Sequence, residues 1–208
     1  MTMRAFGTAA LVAAIAIAAL AAAPARADEV TDAIAAAQAA YGAGNLVGAG
    51  AGLETALLLL RAQLAARLAE FLPAAPSGWT AGPLKEAGTD PKGAGSAGGL
   101  VVSRSYGTPA GTTIGVSIAV DSPLLGSLRM MARNPALASM AGHPGMRTTT
   151  ACGFDAVETS DERGLREVSV LIGARAMASV SGRDGRDAAG VKTLADALDC
   201  PGIAAVLE

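Results

Sequence analysis

Met140, His143 and Met146 stand at three-residue steps around a Gly-Pro bend in Met140-Ala-Gly-His143-Pro-Gly-Met146. Thioether sulfur is a soft ligand and imidazole a borderline one, so this trio suits Cu(I) or Ag(I). Upstream, Arg129-Met130-Met131-Ala132-Arg133-Asn134 adds two more methionines. Methionine also fills irregular apolar gaps and makes adaptable binding surfaces, because its unbranched chain repacks easily. The reading adopted is a lid or docking edge built from Met130, Met131, Met140 and Met146, needing no cofactor. It would take a protein partner or an apolar small molecule. A copper site of Met140, His143 and Met146 is the alternative.

Other catalytic patterns are thin. His143 is the sole histidine, which excludes multi-histidine zinc sites. There is neither a His-Glu-x-x-His nor a Gly-x-Ser-x-Gly motif. Asp155, Glu158, Asp161, Glu162 and Glu167 could supply a general acid and base. Asp161-Glu162-Arg163-Gly164, however, reads as a solvated turn between strands. Asp184 to Asp187 lacks the spaced oxygen ligands of a calcium loop and reads as a turn with a helix cap at Asp187. Gly42-x-Gly44 follows a helix, not a strand, so it breaks the helix and does not cradle a dinucleotide. The expectation is a non-catalytic protein, with a hydrolase of unassigned residues as a further alternative.

Cys152 and Cys200 are the only cysteines. They form no Cys-x-x-Cys pair, and an even number in an oxidising compartment reads as a disulfide. Closing that loop would stabilise by ~4 kcal/mol in the chain-entropy view.

The elements that position these residues are legible from periodicity. Residues 28–72 read as a helical hairpin, broken at Gly42-Ala43-Gly44-Asn45 and ended by Pro73. In its second helix Leu53, Ala56, Leu57, Leu60, Leu64, Leu68, Phe71 and Leu72 recur at three- and four-residue steps. Residues 73–99 are rich in Pro, Gly and Ser and read as a linker and long loop. From Leu100 the period becomes two. Ile114, Val116, Ile118 and Val120 alternate with small residues, as in a half-buried strand. Strands are expected at 100–106, 112–120, 146–150, 154–158, 166–172 and 176–181, with helices at 124–133 and 187–198. That order gives an α+β domain over 100–208: an antiparallel sheet covered by helices.

The hairpin resembles a tetratricopeptide-repeat unit. Ala37, Ala40 or Tyr41, Gly44, Ala49, Leu53 and Ala56 fall at or near its packing positions over about thirty residues. The closing proline and a second copy are missing, so the resemblance implies a hairpin that packs on something else. The layout of the rest resembles the Mog1/PsbP-like fold. It also resembles exported proteobacterial proteins with a helical hairpin ahead of a Pro-rich Gly-Trp connector. Both imply accessory, non-catalytic roles.

Residues 1–27 read as a cleaved signal peptide. Arg4 precedes an uncharged Thr8–Ala23 run, and Ala25-Arg26-Ala27 is a peptidase recognition pattern. The protein is therefore expected in the periplasm or secreted, with no membrane anchor. Losing Arg4 and Arg26 leaves 14 Lys+Arg against 18 Asp+Glu, a net charge of −4. That balance argues against nucleic acid and anionic membrane as partners. N-terminal sequencing of the exported protein should begin at Asp28; a start at Met1 or Thr2 would refute cleavage.

Overall fold

The computed structural model describes residues 25–88, 99–134, 145–162, 164–183 and 187–208, with side chains from Glu29 onward except Asp161 and Leu165. Most of the expected signal segment, residues 1–24, therefore lies outside the described residues. The chain divides into two compact units, one ending at Ala56 and one from Leu57 to Glu208.

The first unit is a hairpin of α1 (Ala25–Gly42) and the beginning of α2 (Leu46–Ala69). Gly44 takes a positive φ at the turn, and the Asn45 side chain accepts a hydrogen bond from Gly48 N at 2.9 Å, starting α2. The seam is made of small residues: Ala37, Ala49 and Ala56 are buried. A Cβ at Gly52 would fall 2.8 Å from the Ala37 Cβ, so the helices touch backbone to backbone there.

The second unit holds an antiparallel sheet of eight strands. These are β1 (Thr80–Ala81), β2 (Lys85–Ala87), β3 (Leu100–Gly107), β4 (Thr113–Val120), β5 (Met146–Ala151), β6 (Phe154–Asp161), β7 (Gly164–Ile172) and β8 (Ala176–Gly182). The order is β1-β3-β4-β8-β7-β6-β5, with β2 also paired to β3. The α+β expectation is met. Strands β1 and β2 lie within the stretch read as linker and loop, so the sheet starts at Thr80, ahead of Leu100. Lys85 pairs with Ser103 and Ala87 with Val101.

The alternation read in β4 is the burial pattern observed: Ile114, Val116, Ile118 and Val120 are sealed, while the residues between them are half-buried. They face a core shared with Val191 and Leu194 of α4 (Ala188–Asp196), Ile203 of α5 (Cys200–Leu207), and Leu68 and Leu72. Helix α5 was not expected from sequence. Asp199 accepts from Gly202 N at 2.9 Å and Pro201 occupies its first turn, a favourable helix start. The expected cap Asp187 stands at the start of α4. Its carboxylate accepts from Arg183 N at 3.2 Å and does not cap the helix.

Tyr106 is fully buried on β3, and its hydroxyl donates to the Pro73 carbonyl at 2.6 Å. Burial pushes its phenol above the usual tyrosine range, against the opposing pull of Arg104. A raised folded pKa means that this contribution is complete below the unfolded value and is lost as pH climbs through the folded one. Tyr106→Phe should cost about 1–3 kcal/mol in urea unfolding at pH 7, since it strips a buried carbonyl of its donor. It should also flatten the loss of stability above roughly pH 10.

Candidate functional site

Helix α3 (Leu124–Arg133) lies between β4 and β5 in the chain and ends where the sequence placed it, before Asn134-Pro135. Two ties fix it. Arg129 donates to the carbonyls of Gly173 and Ala174 in the β7–β8 turn, the latter at 2.9 Å. Thr148 Oγ1 of β5 donates to the Ala132 carbonyl at 2.8 Å. Thr148 pairs with Val157, on the face opposite the main core. Val157, Leu171 and Leu125 are buried yet stand outside that core, so the second face carries a smaller apolar layer at this end.

The methionines separate on this frame. Met130 is 61% exposed, Met131 of α3 is half-buried, and Met146, the first residue of β5, is half-buried as well. Met140 and His143 lie outside the described residues. Leu124, 67% exposed, joins Met130 as a second large apolar group in water. Sequence reasoning missed Leu124, because helical periodicity locates an apolar residue without saying whether anything covers it.

At the end of β4, Asp121 adopts φ +54°, and its carboxylate accepts from Arg175 Nε and Nη2 at 2.9 and 2.6 Å. The Arg175 hydrogen bond holds Asp121 below the usual carboxylate range, with Arg61 adding a smaller pull. Both partners are well exposed, so the pair contributes little to stability.

On the core side of the sheet, a cleft of about 360 Å³ opens between β5, β6, β7 and α4. Thr149, Glu158, Val168, Lys192, Asp196 and Cys152 line it. Glu158 accepts from Arg147 across the β5–β6 ladder at 2.8 Å, and Lys192 stands 3.3 Å from Asp196 one helical turn away. Each carboxylate thus carries its own cation, which gives a polar, electrically balanced cleft. Of the other candidate acids, Glu167, Asp155 and Glu162 do not join it, and the Asp161 side chain lies outside the described residues. Glu167 pairs in register with Thr159 on the other face and accepts from Ser169 Oγ at 2.9 Å. Asp155 is exposed opposite Thr150, and Glu162 is exposed in the turn after β6. Among the described residues, no group of three or more His, Cys, Asp or Glu could hold a metal ion. None of the described helices is long and apolar enough to cross a membrane.

Cys152 and Cys200 are joined in a disulfide, their Cα atoms 5.9 Å apart and 48 positions distant in sequence. Cys152 occupies the two-residue β5–β6 turn with φ +46°, followed by Gly153 at φ +85°. Two successive positive φ values make the tight hairpin turn that favours Asn-Gly, and a cysteine there is an unfavourable tenant. The bond anchors that turn to the buried first residue of α5. No protein family, curated protein or solved structure matches the chain.

Thiol titration of the unfolded, unreduced protein should find no free cysteine. Reduction, or Cys200→Ser, should lower stability by about 2–5 kcal/mol in denaturant unfolding. Two free thiols before reduction would refute the pairing in solution.

Proposed function

We propose that this is a non-catalytic accessory protein, exported to the periplasm or secreted, that binds another protein at the α3 edge of its sheet. One observation carries the reading: α3 keeps Leu124 and Met130 in water while the adjacent Leu125 is buried. A helix tied through Arg129 and Ala132 cannot roll to hide those side chains. Holding two large apolar groups exposed forgoes roughly 1.5–3 kcal/mol for each, which a partner's surface would recover. A small apolar molecule fits less well, because such ligands need a concave apolar site and the described cleft is open and polar.

The test is affinity capture from periplasmic extract with the parent protein and with a Leu124→Asp, Met130→Asp double variant. Met131 is left unchanged because it is half-buried. The variant should keep its far-UV circular dichroism and its stability to within about 0.5 kcal/mol, as exposed substitutions do, and lose the captured protein. Equal capture by both proteins would show that α3 is not the binding edge.

A further inference from the structure

The two edges of the sheet are built differently. On one side β1 and β2 are two and three residues long, separated by Gly82-Pro83-Leu84 and followed by Lys85 in β2. Short pieces, a proline and a lysine are the devices that stop an edge from pairing further. On the other side β5 is a regular strand of six residues, Met146-Arg-Thr-Thr-Thr-Ala151, with no proline, lysine or glycine. It runs in unbroken register against β6, and among the described residues no strand lies beyond it. Arg147, Thr148 and Thr150 are exposed along it.

The turn settles which backbone groups face outward. Ala151 and Phe154 close a two-residue hairpin, so they are a hydrogen-bonded pair, and such pairs alternate from there. Thr149 and Arg147 therefore bond to Ala156 and Glu158. Ser160 N donates to the Gly145 carbonyl at 3.0 Å, in the same phase. Met146, Thr148 and Thr150 then aim their N–H and C=O groups away from β6, three donors and three acceptors on an open edge. An added strand is what satisfies such a row.

Their spacing selects the strand. The three outward residues are symmetric about Thr148, so a second β5 running antiparallel meets them in phase. Thr148 then stands opposite Thr148, and Met146 opposite Thr150. On the core-side face Arg147 of each copy falls opposite Thr149 of the other. No like charges stand directly opposite, and Arg147 is already held by Glu158 at 2.8 Å. Because the β1–β2 edge is blunted, the addition closes at two copies and builds no filament.

We infer that β5 is a homodimer interface, in which the β5 strands of two copies pair antiparallel about Thr148 and join two sheets into one. This pairing is distinct from the α3 reading and does not rest on it.

Sedimentation velocity of the protein from about 10 μM to 1 mM should show monomer converting to dimer, with no larger species. Because Thr148 meets itself, Thr148→Lys and Thr148→Asp should each oppose like charges and weaken the dimer at least tenfold. An equimolar mixture of the two variants should restore it. Amide hydrogen exchange of the parent needs no variant. The Thr148 and Thr150 amides should exchange at least tenfold more slowly at the high concentration than at the low one, while Arg147 and Thr149, bonded to β6, change little. A parent that stays monomeric throughout would overturn the proposal and leave the edge to another protein's strand. So would unchanged exchange at Thr148 and Thr150, single variants that dimerise like the parent, or a mixture that dimerises no better than its parts. Circular dichroism verifies that both variants are folded; if either is not, the exchange measurement decides alone.

Discussion

The pairing of β4 with β8 is the contact on which the second unit depends. Seven residue pairs, from Ile114 opposite Gly182 to Val120 opposite Ala176, join the β3–β4 hairpin to the β5–β8 meander. Without that ladder the two halves of the sheet have no other strand in common. Its inner face is sealed by Val116, Ile118, Ala178 and Val180, none of them accessible to water. Because side chains alternate, a slip of β4 by one residue would send Val116 and Ile118 to the outer face and bring Ser117 into the core. On its other edge β8 pairs with β7, which sets Ser169 against Ser179 on the outer side, where their hydroxyls lie 2.6 Å apart.

Once that ladder is set, everything else has a fixed place. Helices α4 and α5 cover the core face, and the disulfide ties the far hairpin turn to the first residue of α5. The connection from β4 to β5 must reach the opposite edge of the sheet, and α3 lies on that route. The exposed groups of α3 therefore follow from topology as much as from composition: a helix pinned at the β7–β8 turn and at β5 has only one side to give to the sheet.

Much of this was legible in the residues. The strict alternation of Ile114 to Val120 and the Pro135 stop gave β4 and the end of α3, because these are local signals that burial reinforces. Strand β2 was not legible: Lys85-Glu86-Ala87 has no apolar period and exists only through its ladder with β3. Helix α5 had a usable signal, an Asp199 cap followed by Pro201, but its eight residues are too few to show a clear helical period. The cleft could not be read at all. Arg147 meets Glu158 only because the β5–β6 turn fixes the register, while Lys192 and Asp196 show merely ordinary helical spacing. Nor did the stripe along α2 reveal where it would be covered. Leu68 and Leu72 enter the core and Leu53, Leu57 and Leu60 do not, a division made by the sheet, not by the helix.

The β4–β8 ladder also sets a clock. Val120 and Ala176 are partners, so 56 further residues, 176 minus 120, must follow β4 out of the ribosome before its second edge can be filled. At roughly 5–20 residues per second that wait is on the order of 3–11 seconds, long compared with the microseconds in which a hairpin forms. Throughout it, a ready-made β3–β4 hairpin would offer one open apolar edge to any neighbouring chain. A nascent protein of this topology gains nothing by folding early and is safest held extended until its C-terminal third has arrived.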